Sequence, residues 1–135
     1  MKTRTAKTRF KRTNPNPKPT WHDQPKPDCA VRAVAIALEI SWEEAYKKLA
    51  DKGLEMYDVM NSDPVIYAVL KDNGFEWLPY GGLCKKLVCN FAEEHRTGTA
   101  VLLTNEHTTV VKDGKILDDW DTSLQTVEKA FIKKF

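Results

Sequence analysis

No stretch of this 135-residue chain is apolar for long enough to cross a bilayer, and no apolar block follows the N-terminus as a signal peptide requires. These absences lead us to expect a cytoplasmic protein with no membrane partner. Cysteine is scarce too: Cys29, Cys84 and Cys89 make three, an odd number without a paired framework, in agreement with a reducing compartment. Cys84 and Cys89 are spaced too widely for the tight ligand pairs of structural zinc, and only His95 stands near them. Glycine is sparse, and Gly81-Gly82 lacks the lysine and helix start of a phosphate-binding loop. Neither a metal nor a cofactor is implied, and there are no internal repeats.

What is present suits one domain able to bury a core, with 41% hydrophobic and 30% charged residues. The net charge of +2 conceals a split. Residues 1–12 carry six bases (Lys2, Arg4, Lys7, Arg9, Lys11 and Arg12) and no acid, which leaves 15 bases against 19 acids in the rest. Such a tail can hold nucleic acid phosphates, remain a solvated end, or lie across its own acidic body. Asn14–Pro19 reads N-P-N-P-K-P, and Pro25 and Pro27 follow, so the lead-in is expected to be extended. Residues 1–20 are accordingly read as a basic, Pro-rich N-terminal extension and 21–135 as the domain.

A first helix is predicted from Cys29 to Leu38, with Asp28 as its cap and Val31, Val34, Ala35 and Leu38 recurring at helical spacing. Ser41-Trp42-Glu43-Glu44 is a capping box that opens a second helix, which Gly53 is expected to stop. Asp63-Pro64 supplies a cap and a first-turn proline for a third helix ending at Asn73-Gly74. Phe75–Leu78 reads as extended, and Leu87–His95 as a short helix. The period then changes. Thr99–Thr104 is a strand, and His107–Lys112 and Lys115–Trp120 flank Asp113-Gly114, the strongest hairpin signal in the chain. Ser123–Phe135 fits a strand or a ragged helix. Helices first and an antiparallel sheet second make an α+β fold.

The hairpin places chemistry. A two-residue turn pairs Lys112 with Lys115 and Val110 with Leu117, which sets Asp118 diagonally beside His107. A carboxylate there fixes the imidazole tautomer, and the other ring nitrogen can take a proton from a thiol. Cys29, at a helix start where the dipole favours thiolate, would be the nucleophile. The alternative is that Cys29 is a small hydrophobe in a core. Arg32, one turn on, either keeps the site electropositive or pairs with Asp28 or Asp118 as structure. Trp120 either shelters the His107–Asp118 contact or packs in the core.

D-C-A-V-R-A-V-A-I-A-L from Asp28, Asn61-Ser62-Asp63-Pro64, and N-E-H-T-T-V-V-K-D-G-K-I-L-D-D-W-D to Asp121 together resemble a group of small phage and bacterial proteins. These are similar to papain-like cysteine peptidases, including the domains that cut double-glycine leader peptides. The resemblance spans Asp28 to Thr122. It implies a papain-like fold, nucleophile helix first, packed on a C-terminal antiparallel β-sheet. It also implies a nucleophile, a base and an acidic partner at Cys29, His107 and Asp118, but no particular substrate. Papain-like enzymes usually place an oxyanion-holding glutamine about six residues before the cysteine. Here Asp23 holds that place and Gln24 the next, so Gln24 is either the oxyanion donor or a solvated loop residue. His22 is a lesser candidate donor.

Two functions from different classes follow. The first is a cysteine hydrolase acting on peptide, isopeptide or other amide bonds through an acyl-enzyme thioester. The second is a non-catalytic binding or inhibitor protein of phage type, docking on a protein partner through the basic tail. Nucleic acid bound by Lys2–Arg12 is a third, thinner reading, since no aromatic interleaving accompanies those bases.

Overall fold

Four helices and a six-stranded, mostly antiparallel sheet form an α+β arrangement over residues 9–79 and 86–133, the part of the chain that this computed structural model describes. The helices are α1 (Cys29–Leu38), α2 (Trp42–Met56), α3 (Asp63–Asp72) and α4 (Val88–Glu94). The strands of the sheet are β1 (Phe10–Arg12), β4 (Glu76–Leu78), β5 (Thr99–Thr104), β6 (His107–Lys112), β7 (Lys115–Asp118) and β8 (Lys129–Lys133). They run in the order β1-β7-β6-β5-β8-β4, and a separate hairpin joins β2 (Thr20–Trp21) to β3 (Gln24–Pro25).

Strand alternation sends two sets of apolar side chains to opposite faces of the sheet. Val101, Leu103 and Val110 meet Val34, Leu49 and Leu70 of the first three helices. Ala100, Leu102, Val111 and Ile116 meet Val88 and Phe91 of α4. Each fully buried Val, Leu, Ile or Phe side chain contributes about 1.5–3 kcal/mol, so both faces hold the sheet in place. The β6–β7 hairpin has the expected register, with Val110 opposite Leu117 and Lys112 opposite Lys115. Asp113 (φ 50°) and Gly114 (φ 78°) take the left-handed turn conformations that such a tight connection requires. The ambiguous C-terminal stretch supplies β8, which lies between β5 and β4.

Several local expectations are corrected. The N-terminal extension is not separate from the domain at residues 10–12. Phe10 to Arg12 add a parallel edge strand to β7, Phe10 packs on the α4 side, and the Arg9 and Arg12 side chains meet Glu93 at 3.7 Å and Asp119 at 3.3 Å. Three bases of that tail, Lys2, Arg4 and Lys7, lie outside the described residues, as do Gly81-Gly82, Cys84 and Phe135. Gly53 does not stop α2, which continues to Met56 and ends where Tyr57 turns left-handed (φ 54°). Gly53 serves close approach instead, because a Cβ there would lie 2.8 Å from the Asp58 carbonyl oxygen. The cap of α3 is Ser62, whose hydroxyl accepts from the Val65 N–H at 3.3 Å, and Asp63 is the first helical residue. The capping box of α2 forms as expected, with Ser41 and Glu44 bonding each other's backbone N–H. Among the described residues no helix is long and apolar enough to cross a membrane.

Candidate active site

Cys29 occupies the first turn of α1, half-buried, with Asp28 in the cap position. The Asp28 carboxylate does not cap the helix as expected. It turns away from the helix end, so the first-turn N–H groups of α1 receive no side-chain cap at the end where the dipole is positive. The Asp28 oxygens go elsewhere: Oδ1 accepts from Arg32 Nη1 at 2.5 Å, and Oδ2 accepts from Trp42 Nε1 at 2.9 Å and Asn16 Nδ2 at 2.7 Å.

His107 begins β6 directly after the Asn105-Glu106 turn, where Glu106 is left-handed (φ 55°). Its Nε2 lies 2.7 Å from Asp118 Oδ2 at the end of β7. Nε2 being so used, Nδ1 is the ring nitrogen left to exchange a proton with Cys29, which lines the same cavity as His107. Asp118 is only 3% exposed in its side chain; its other oxygen accepts from the Asp119 N–H at 2.6 Å and faces Arg32 Nη2 at 3.4 Å. Arg32, 7% exposed, therefore spans Asp28 and Asp118 at once. Both pairings anticipated for it occur together.

The electrostatics follow from this geometry. Burial pushes the Cys29 thiol up, but hydrogen bonds to His107 and to the Thr108 backbone, with the His107 charge, bring it net below its ordinary 9.0. Burial opposes charge on His107 as well; the hydrogen bonds to Asp118 and Cys29 and their negative charges prevail and raise the ring to about 9. The two shifts run toward each other, which favours a thiolate beside an imidazolium. Cys89 behaves oppositely, its thiol pushed up by burial.

A cavity of about 470 Å³ opens over Cys29 and His107, lined also by Ala30, Asn61, Asn105 and Thr108. Gln24 is not among its lining residues: it is exposed in the β2–β3 hairpin, paired with Trp21. His22 is exposed in the same turn with φ 50°, its ring against Trp21. Trp120 stands beside His107, ring centroids 5.0 Å apart, yet is 44% exposed, so it covers the imidazole from outside and is not a core residue. His95 sits at the C-terminal end of α4, with Nδ1 3.1 Å from the Phe91 carbonyl oxygen. Among the described residues no His, Cys, Asp and Glu side chains cluster to hold a metal ion.

The sequence reading missed Thr108, Asn16 and Trp42. Thr108 was signalled by its place beside His107, since a strand end that brings one residue to the sulfur brings its neighbour's backbone too. Asn16 and Trp42 carried no local signal, because their bonds to Asp28 cross 12 and 14 residues of chain. Compared with known proteins, the chain matches no family model, no curated protein and no solved structure.

Proposed function

We propose that the protein is a cysteine hydrolase of papain-like type, cleaving peptide, isopeptide or related amide bonds. The observation that carries this reading is the His107 imidazole, bonded to the buried Asp118 carboxylate and lining one cavity with Cys29. The order of nucleophile helix, base strand and orienter strand along the chain supports the papain-like reading.

In this mechanism the Cys29 thiolate attacks the substrate carbonyl carbon, and the oxyanion forms near the uncapped start of α1. The backbone N–H of Cys29 is one donor; the side-chain amides of Asn61 and Asn105, which line the cavity, are better placed than Gln24 for the second. The His107 imidazolium gives its proton to the departing amine, leaving a thioester on Cys29. A water molecule then attacks the thioester, His107 takes its proton, and the acid leaves as the thiolate and imidazolium are restored. Asp118 holds the ring tautomer throughout.

The test is a peptidyl electrophile such as an aldehyde or epoxide, with adducts located by mass spectrometry. The wild type should carry the adduct on Cys29, and His107→Ala should lose it. Equal modification of Cys84, Cys89 and Cys29 would contradict the reading. The exposed position of Gln24 favours the second reading, a binding protein on the same fold. Under that reading Cys29→Ser leaves the biological effect intact, whereas under the hydrolase reading it abolishes it.

A further inference from the structure

We infer that residues 10–16 are a positioning segment of the candidate site, holding both ends of the buried Asp28–Arg32–Asp118 chain of contacts. This inference rests on the hydrolase reading and adds to it a role for the N-terminal segment. The segment is not a free arm over this stretch. Arg12 lies opposite Asp118 in the parallel β1–β7 pairing, and the Thr13 N–H then donates to the Asp118 carbonyl oxygen at 2.7 Å. Three residues on, Asn16 is buried, and its Nδ2 donates to Asp28 Oδ2 at 2.7 Å. The Asn16 side-chain oxygen accepts from the Lys18 N–H at 2.8 Å, and the Asn14 side-chain oxygen accepts from the Asn16 N–H at 2.9 Å, so the amide cannot swing freely.

One short segment thus grips the residue that orients His107 by its backbone, and grips the far anchor of the same chain of contacts by a side chain. Between them Arg32 contacts both carboxylates. A buried ionic chain of this kind is a weak source of net stability, because desolvation of the charges offsets their attraction. Its geometric consequence is stronger: with Asp28 pinned by Asn16 and Trp42, Arg32 is directed at Oδ1 of Asp118, which leaves Oδ2 turned to the imidazole. Asn16 and Thr13 are positioning residues here, acting through Asp28 and Asp118 without touching the reacting atoms. Pro15 suits this role, since it keeps the backbone extended between the two grips.

The test uses full-length protein carrying Asn16→Ala or Thr13→Pro, the first removing the grip on Asp28 and the second the N–H that holds Asp118. Neither change alters charge, so a shift at His107 reports position. Lys47→Ala, which removes only an exposed pairing with Asp51 on α2, is the control. His107 is titrated by NMR, Cys29 alkylation by iodoacetamide is followed at neutral pH, and thermal melting checks the fold. The expected result is a folded variant in which His107 titrates about one pH unit or more lower and Cys29 reacts roughly ten- to a hundredfold more slowly, with Lys47→Ala unchanged. Folded variants with a wild-type His107 titration and wild-type alkylation would overturn this inference alone. A wild-type His107 titrating near 6.5 would overturn the hydrolase reading and this inference with it. Loss of the fold in both variants would also overturn it, by making the segment a part of the scaffold only.

Discussion

Asp118 divides its two carboxylate oxygens between His107 and Arg32: Oδ2 is 2.7 Å from the imidazole Nε2, and Oδ1 is 3.4 Å from the guanidinium. The division sets what each substitution at this position should do. Asp118→Asn keeps the shape and removes the charge. His107 should then titrate well below about 9, and turnover should fall by about 10²–10⁴-fold as the base loses its orienter. Asp118→Ala goes further and leaves the Arg32 charge half-partnered in the interior, so urea unfolding should show a loss of about 3–5 kcal/mol.

The pH dependence has two limbs of known sign. Hydrolysis needs the thiolate and the imidazolium together. On the acid side the rate should fall as Cys29 gains its proton, at a pH below the ordinary thiol range, since its value is lowered. On the alkaline side it should fall as His107 loses its proton near pH 9. Cys29→Ser removes the negative charge of the thiolate, so the ring should titrate lower than in the wild type. In the wild type the folded-state value raised to about 9 gives a stabilisation that is fully present below the unfolded-state pKa of about 6.5. It should be lost as pH rises through the folded-state value, and denaturation at a series of pH values checks the sign.

Gly53→Ala tests the close approach behind α2. In an exposed helix the change would stabilise by about 1 kcal/mol. Here the new Cβ meets the Asp58 carbonyl oxygen at 2.8 Å and the Met60 backbone at 3.1 Å. The chain after α2 must move, and chemical denaturation should show destabilisation by about 1–3 kcal/mol.

The start of α3 gives a cleaner contrast. Ser62→Ala removes the cap and should cost about 1 kcal/mol. Asp63→Ala removes the exposed pairing with Lys129 at 2.9 Å and the acidic charge in the first turn, each worth about 0–1 kcal/mol. Thermal melting of the two variants side by side orders them.

What could be read from the sequence was what short-range chemistry decides. The capping box at Ser41, the Asp113-Gly114 turn and hence the meeting of Asp118 with His107 all follow from neighbours in the chain. The parallel pairing of β1 with β7 does not, because its partners lie more than a hundred residues apart, as Phe10 and Ile116 do, and no turn links them. Gly53 is ambiguous for a related reason: the same residue serves as a helix stop or as a point of close contact, and only the approach of Asp58 decides. Asp28 has the residue type of a cap and its pairing with Arg32 is legible one turn on, while the claims of Trp42 and Asn16 on its oxygens come from distant places in the chain. Gln24 has nearly the spacing from Cys29 that an oxyanion donor needs, and the β2–β3 hairpin turns it to solvent.

The central claim is that His107 activates Cys29, and the pH dependence of iodoacetamide alkylation at Cys29, resolved by peptide mass spectrometry in the wild type and in His107→Ala, tests it most directly. The account predicts a wild-type rate that persists below the ordinary thiol range and exceeds that of Cys89, and a His107→Ala profile displaced upward by burial with no imidazole to offset it. A Cys29 profile that matches an ordinary thiol and does not change on His107→Ala would contradict it.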